Sequence, residues 1–243
     1  MELLENETLE DLQVGGLKII QKKDGFRFGA DAVLLADFAK EAPSQKTLDL
    51  CCGSGIIPML LSHKTKTPQI FGIEIQPEIY ETAMRSVEIN GLSDRLKLTC
   101  GDLKNAAQIY GKRCFDVITC NPPYMPVGSA VTNFSDTKLI ARHVIMCTLE
   151  DVIAAAAQLL KHKGRLMLVH KPTRLADIIC LMRKYEIEPK RIRFVHKDPG
   201  SEPSLVLADG AYKGGKELRI APPLYLYGAD GSETEELKRI YER

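Results

Sequence analysis

The pattern that most constrains the fold of this chain is an alternation of short apolar stretches with helix-forming stretches after residue 44. The apolar stretches have the length and β-branched content of buried strands. Strands are predicted at 46–50, 69–73, 95–100, 114–120, 165–169, 192–196 and 204–208, and helices at 56–63, 77–90, 149–160 and 173–185. Repeated strand–helix units of this kind predict a mostly parallel sheet that is covered on both faces. We therefore expect an α/β fold with a doubly wound, seven-stranded sheet and helices on both faces.

The segments on either side of this alternation are predicted to be smaller additions. Residues 1–43 should form an N-terminal extension that contains a hairpin and a helix. Its strand at 17–21 is followed by the turn signal Asp24-Gly25 and a return strand at 26–28, and Asp31 is placed to cap a helix. Residues 44–227 form the predicted main domain, and residues 228–243 form a charged C-terminal tail.

Bulk composition excludes several classes of protein. The chain is 44% hydrophobic and 27% charged, which is ordinary for a globular protein. No apolar run approaches the roughly 20 residues of a membrane span, and the first residues are acidic where a signal peptide is basic. The chain has seven cysteines, an odd number, and none of them are spaced as Cys-x-x-Cys, so neither a disulfide framework nor a zinc site is expected. We expect a cytoplasmic protein with no membrane partner and no metal.

Acidic residues and glycines lie where the predicted strands end. The first strand runs into a loop with Gly53 and Gly55, which allow a sharp turn and a close approach to a ligand. A dinucleotide-binding loop would continue to a third glycine, but that position is Pro58. Acidic groups at three successive strand ends fit a ligand with an ammonium, a ribose and an adenine but no phosphates, and S-adenosylmethionine is such a molecule. The predicted cofactor-binding residues are Asp49, Gly53, Gly55, Glu74, Ile75, Asp102, Leu103 and Asn121.

The fourth predicted strand ends in Asn121-Pro122-Pro123-Tyr124. Each proline fixes its own φ and restricts the residue before it, so the Asn121 carboxamide and the Pro122 carbonyl should form a rigid pair of acceptors. Tyr124 offers a flat ring beside them. Two acceptors and a stacking ring predict a clamp for a planar amino group, with Asn121, Pro122 and Tyr124 as the catalytic residues. The alternative is a turn that merely follows a strand, since Asn and Pro are common in turns.

The charge of the chain is unevenly distributed. Residues 161–220 contain 14 Lys and Arg against 7 Asp and Glu, a local net charge of +7, whereas the whole chain carries +1. This imbalance predicts a polyanionic partner on one face. The alternative is a solvated surface on which the charges disperse after folding. The candidate nucleic-acid-binding residues are Lys22, Lys23, Arg27, Arg142, His143, Lys171, Arg174, Lys190, Arg191 and Arg193.

With these motifs in place, residues 46–125 resemble the class I S-adenosylmethionine-dependent methyltransferases, and Asn121-Pro122-Pro123-Tyr124 resembles the signature of their amino-methylating branch. Gln21 and the stretch 26–36 are similar to the N-terminal signature of bacterial tRNA (adenine-N6)-methyltransferases, as are segments 141–143, 149–151 and 222–227. The resemblance implies a Rossmann-like fold, S-adenosylmethionine as cofactor, and an RNA substrate, specifically the adenosine 3′ of the anticodon in a valine tRNA. Two positions depart from the pattern: Cys51 replaces a glycine of the loop, and Val144 replaces an expected acidic residue.

Other functions remain open from the sequence. The clamp could hold the glutamine amide of a release factor, or a base of ribosomal RNA or DNA, and the chain could be a non-catalytic nucleic-acid-binding module. The basic region favours nucleic acid over a protein substrate, and 243 residues leave little room for a separate domain that reads DNA sequence. Asp49, Glu74 and Asn121 argue against loss of catalysis. His143 is a candidate base, although a histidine in a loop is more often structural or faces the RNA.

Overall fold

The computed structural model describes residues 3–23, 29–123 and 147–243. Within these ranges the strands form a two-stranded hairpin and a nine-stranded sheet. The hairpin consists of β1 (Glu7–Asp11) and β2 (Lys18–Lys22). The strands of the large sheet are β3 (Lys46–Leu50), β4 (Gln69–Glu74), β5 (Leu96–Cys100), β6 (Phe115–Cys120), β7 (Leu160–His170), β8 (Ile187–His196), β9 (Pro203–Tyr212), β10 (Arg219–Ile220) and β11 (Leu224–Tyr225).

Helices cover both faces of the large sheet. They are α1 (Ala30–Ala39), α2 (Ile56–Lys64), α3 (Pro77–Ile89), α4 (Ala106–Tyr110), α5 (Leu149–Leu159), α6 (Leu175–Lys184) and α7 (Glu235–Tyr241). One hydrophobic core contains buried residues of α1, α2, α3 and α7, and a second core contains those of α4, α5 and α6. No helix among the described residues is both long enough and apolar enough to cross a membrane.

The strand order of the sheet is β10-β8-β9-β7-β6-β3-β4-β5, and β11 also pairs with β8. Strand β9 is antiparallel to both β7 and β8, and the other pairs are parallel. Strands β3 to β8 therefore all end at the same edge, which we call the carboxyl edge. The predicted α/β fold with a doubly wound, mostly parallel seven-stranded sheet is confirmed, and β10 and β11 are short additions beside β8.

Gly72, in the middle of β4, is closely covered by two side chains. A Cβ atom at Gly72 would lie 2.6 Å from Leu98 Cδ2 and 2.9 Å from Cys52 Sγ. Cys52 follows β3, so this close approach packs the loop after β3 against its neighbouring strand.

We expect Gly72→Ala to lower the free energy of unfolding by about 1–3 kcal/mol, because overpacking a close-packed core displaces its neighbours. Urea titration followed by circular dichroism measures this change. Gly215→Ala is the matched control, since a Cβ at Gly215 would meet no atom within 4 Å. Equal stability of the two variants would show that the loop after β3 is not packed as described.

The N-terminal hairpin of the described residues contains the strand expected at 17–21, which is present as β2. Its partner among these residues is β1, which precedes it, with Glu7 opposite Lys22. The predicted turn and return strand, residues 24–28, lie outside the described residues. The hairpin is fixed to α3, because Arg85 donates to both carboxylate oxygens of the buried Glu7 at 2.7 and 2.8 Å.

The C-terminal segment, predicted to be a charged tail, is folded against the first core. Leu237 and Ile240 of α7 are buried. Thr234 caps this helix by accepting a hydrogen bond from the Leu237 N–H, and the Lys64 ammonium donates to the Ile240 carbonyl at 2.6 Å. Two apolar residues three positions apart, Leu237 and Ile240, gave little helical signal in a segment dominated by charge.

Candidate active site

The carboxyl edge brings together the acidic residues that follow β3, β4 and β5. Asp49 of β3 is opposite Gly72 of β4, and Glu74 at the end of β4 is opposite Cys100 of β5. Asp102 follows β5 by two residues. The predicted acidic strand ends are therefore neighbours on one edge, where ligands of open α/β sheets bind.

Asp49 is fully buried and only half satisfied. Its Oδ1 accepts a hydrogen bond of 2.5 Å from the Thr119 hydroxyl, whereas its buried Oδ2 has no hydrogen-bond partner within the described part of the chain. Burial raises the pKa of Asp49 well above its ordinary value, and the nearby Glu74 charge acts in the same direction. An unpaired buried carboxylate oxygen is costly unless a donor meets it. The site therefore suits a ligand with a cationic donor such as an ammonium group.

The loop between β3 and α2 has three residues in the left-handed region. Gly53 and Gly55 have φ values of 53° and 80°, and Cys51 has a φ of 59°. Cys51 thus adopts the conformation of the glycine that it replaces, at a cost of about 1–2 kcal/mol for a residue with a Cβ. The departure at Cys51 does not abolish the turn. It places a thiol where a glycine would leave space.

A cleft at the carboxyl edge is lined by several of the predicted cofactor residues. Glu74 Oε2 accepts the Gly53 N–H at 2.9 Å and keeps a lone pair for a ligand, whereas Oε1 accepts both the backbone N–H of Gln76 at 2.9 Å and its side-chain amide at 3.3 Å. Asp102 accepts the Lys104 N–H at 2.9 Å. The lining residues are Cys51, Ile73, Glu74, Ile75, Gly101, Asp102, Leu103, Pro123 and Cys147.

Two cysteines of this cleft were not predicted to be part of the site. The thiol of Cys51 lies beside those of Cys120 and Cys147. Its interaction with Cys120, together with burial, raises the pKa of the Cys51 thiol well above its ordinary value. These cysteines are neutral thiols in the wall of the cleft and are poor nucleophiles. These cysteines are far apart in the sequence and form no recognisable motif, so only the folded structure shows that they are neighbours.

The predicted amine clamp follows β6, which lies between β3 and β7 in the sheet. Pro122 is buried, Asn121 is half-buried, and Pro123 lines the cleft together with Glu74 and Asp102. The clamp thus adjoins the predicted cofactor residues. Tyr124, Arg142, His143 and Val144 lie outside the described residues, as does Arg27.

The candidate nucleic-acid-binding residues are divided between different regions. Lys22 and Lys23 end the N-terminal hairpin, and Lys171 and Arg174 follow β7 at the carboxyl edge. Of the 14 basic residues in 161–220, eight form ion pairs with carboxylates of described residues. Four of the partner carboxylates, Glu41, Asp116, Glu150 and Glu236, lie outside the segment and offset four of its seven net positive charges.

Arg191 and Arg193 have clear intramolecular partners. The Arg191 guanidinium lies 3.9 Å from the Phe38 ring centroid, donates to the Phe38 carbonyl, and pairs with Glu41 at the end of α1. Its Nε is 3.7 Å from Asp209, a nearly fully buried carboxylate. Arg193 pairs with Glu236 at 2.8 Å. These contacts fix α1 and the C-terminal segment to the sheet, so the structure favours a structural role for both arginines.

We expect Arg191→Ala to lower the free energy of unfolding by about 1–3 kcal/mol, because it removes charge-assisted hydrogen bonds beside a buried carboxylate. Its RNA affinity should equal that of the wild type in conditions where the variant is folded. Lys190→Ala is the control for the stability measurement, since its ammonium donates at an exposed position to the Gly215 carbonyl. A stable Arg191→Ala variant with weakened RNA binding would reinstate Arg191 as a nucleic-acid contact.

Within the described ranges, His, Cys, Asp and Glu side chains form no group of three or more that could hold a metal ion. The strand order, the glycine-containing loop and the acidic residues that follow successive strands are together those of a Rossmann-like methyltransferase.

Comparison with known proteins gives the family. The family model described as "Methyltransferase small domain" matches residues 23–184. A tRNA1(Val) (adenine(37)-N6)-methyltransferase of Porphyromonas gingivalis is 31% identical over 75% of this chain and 73% of its own length. The enzyme of the same name from Flavobacterium psychrophilum is 30% identical over 75% of this chain and 77% of its own length. The chain belongs to the methyltransferase small domain family.

A solved structure supports the fold. The crystal structure of a predicted O-methyltransferase from Agrobacterium tumefaciens superposes with a TM-score of 0.72 and covers 87% of this chain and 95% of its own. At 21% identity, this likeness concerns the architecture of the sheet and helices.

Proposed function

We propose that the protein transfers a methyl group from S-adenosylmethionine to the exocyclic N6 amine of an adenosine in tRNA, next to the anticodon. The observation that carries this proposal is the position of Asn121 and Pro122 directly after β6, beside β3 and the unpaired Oδ2 atom of Asp49. The names of the relatives support adenine as the base and a valine tRNA as the substrate. A tRNA substrate agrees with the cytoplasmic location expected from the sequence.

The residues at the carboxyl edge fit the proposed cofactor. The unpaired Asp49 oxygen suits its ammonium group, the Glu74 Oε2 atom suits a ribose hydroxyl, and Asp102 suits the adenine amine. Ile75 and Leu103 supply apolar walls to the same cleft. When bound, the cofactor provides an electrophilic methyl group on a sulfonium with a neutral leaving group.

The task of the protein is then to orient the amine. The lone pair of an adenine amine is delocalised into the ring, so the amine is a weak nucleophile. The Asn121 carboxamide oxygen and the Pro122 carbonyl would accept hydrogen bonds from its two N–H groups and raise the electron density on nitrogen as it becomes pyramidal. The nitrogen would release one of these protons to water after it gains the methyl group. Because the leaving group is already good, positioning and electrostatics contribute more than a strong base. Stacking of the base on Tyr124 remains a prediction from the sequence.

The proposal is tested by nucleoside mass spectrometry of tRNA from cells that lack this protein. We expect N6-methyladenosine to disappear from the fragment that contains the valine anticodon, and to return when the wild-type chain is supplied. Return with the Asn121→Ala variant would contradict the clamp. Loss of a methyl group from release-factor glutamine or ribosomal RNA, with tRNA unchanged, would establish one of the alternative substrates instead.

A further inference from the structure

A second, larger concavity lies outside the cofactor cleft. The loop after β8 and the segment before α7 enclose a groove of about 560 Å³, a volume within the range of small-molecule sites. We call it the β8 groove, and it is lined by Lys197, Asp198, Pro199, Gly200, Tyr227, Gly228, Ala229 and Gly231. It shares no lining residue with the cofactor cleft.

The β8 groove opens at the same edge of the sheet as the amine clamp. Strand β8 runs parallel to β6 and β7, because both β7 and β8 are antiparallel to β9. Lys197 follows the end of β8 as Asn121 follows the end of β6. Strands β7 and β9 lie between β6 and β8. The ends of β6 and β8 are therefore three strand spacings of roughly 4.8 Å apart, which separates the two sites by about 14 Å. A strand of a few unstacked nucleotides can span this distance.

The walls of the β8 groove are fixed by hydrogen bonds within the protein. His196 Nδ1 contacts the Ser201 carbonyl at 2.8 Å, and the Asp198 N–H donates to the Ser201 hydroxyl at 3.0 Å. The Tyr227 N–H donates to the Lys197 carbonyl at 2.8 Å and joins one wall to the other. The groove is thus preformed, which lowers the entropic cost of binding a flexible strand.

The side chains of the β8 groove offer three kinds of contact. Lys197 is exposed and carries a positive charge suited to a phosphate, while Tyr227 is half-buried and presents an aromatic ring. Asp198 Oδ1 accepts the Gly200 N–H, and the carboxylate retains lone pairs for further donors. A cation, a ring and a carboxylate around one space match the phosphate, the flat face and the amino edge of a single nucleotide.

We propose that the β8 groove binds a nucleotide of the RNA substrate that flanks the methylated adenosine. Tyr227 stacks on its base, Asp198 accepts an N–H of its edge, and Lys197 contacts its phosphate. This inference rests on the proposed function, because it takes RNA as the substrate. It gives the enzyme a second point of attachment that holds the strand while the target base occupies the clamp.

The test measures binding of a fluorescently labelled, unmodified valine tRNA transcript by anisotropy, at several salt concentrations. Tyr227→Ala should weaken binding by about 5- to 150-fold, as expected for loss of one base stack, and Tyr227→Phe should retain it. Lys197→Ala should reduce the slope of log affinity against log salt by about 0.7, the contribution of one phosphate contact on a single strand. Affinity for S-adenosylmethionine and kcat at saturating RNA should be those of the wild type.

Lys216→Ala is the matched control, because Lys216 is an exposed lysine in the segment after β9, at the opposite edge of the sheet. If Lys197→Ala and both Tyr227 variants bind the transcript like this control, the β8 groove proposal is wrong even where the wild type methylates the RNA. If the wild type binds the transcript but does not methylate it, the proposed function fails, and the affinities still decide the role of the groove. A wild type that does not bind the transcript overturns both.

Discussion

Replacing Asn121 by alanine is expected to lower kcat for methyl transfer by about 10²–10³-fold, the usual loss for one preorganised polar contact to a reacting group. The side chain follows β6 beside the cofactor cleft, so its loss removes one of the two acceptors that orient the amine. Affinity for S-adenosylmethionine should be retained, because Asp49, Glu74 and Asp102 are untouched. A tritiated-methyl transfer assay with saturating tRNA measures kcat, and calorimetry measures cofactor affinity.

Asn105→Ala is the matched control for this experiment. Asn105 is an exposed asparagine just before α4, and its side chain caps no helix. Its substitution should leave both kcat and cofactor affinity unchanged. An Asn121→Ala enzyme as active as the Asn105→Ala enzyme would remove the clamp from the mechanism and leave positioning to other groups.

Replacing Asp49 by asparagine is expected to change cofactor binding and stability in opposite directions. Affinity for S-adenosylmethionine should fall by roughly 10- to 100-fold, as expected for loss of a charge-assisted hydrogen bond to an ammonium group. The free energy of unfolding of the cofactor-free protein should rise at neutral pH, because a buried, half-satisfied carboxylate is replaced by a neutral group. Calorimetry and urea titration measure the two effects separately.

The pH dependence gives the same test a second readout. Because burial raises the pKa of Asp49, the folded protein holds this proton more tightly than the unfolded chain does. The Asp49 contribution to stability is therefore present at low pH and is lost as pH rises from the ordinary carboxyl range through the raised pKa. Asp49→Asn should lack this loss, so the difference in stability between variant and wild type should grow with pH. If the difference in free energy of unfolding between Asp49→Asn and the wild type is constant with pH, burial does not raise the pKa of Asp49.

The bounds of a strand or helix were predictable where its run of apolar residues covers the same residues as its backbone hydrogen bonds. β3 has the predicted bounds, and α2 extends one residue beyond them. β7 begins at Leu160, five residues before the predicted start at 165. The prediction missed these residues because Lys161, Lys163 and Gly164 are typical of a loop. β8 begins at Ile187 and contains Pro189 at a shift in register, a residue that argues against a strand in sequence.

The candidate site was predictable in part for a similar reason. Asp49, Glu74, Asp102 and Asn121 were identifiable because residues at the ends of parallel strands must meet at one edge. The left-handed conformation of Cys51 and its contact with Cys147 depend on the folded loop. The net charge of a segment does not distinguish a basic residue held in intramolecular contacts from one that faces solvent. Arg191 is of the first kind, because it contacts Phe38 and Glu41. The two walls of the β8 groove are distant in sequence and carry no shared motif.

The central claim is that this chain methylates an adenine amine of tRNA, and its most direct test uses purified components. The protein is incubated with an unmodified valine tRNA transcript and S-adenosylmethionine that carries a trideuterated methyl group, and the nucleosides are analysed by mass spectrometry. We predict labelled N6-methyladenosine in the fragment that contains the anticodon, and none with Asn121→Ala. Label on a different base, or unlabelled tRNA from a protein that binds the cofactor, would contradict the claim.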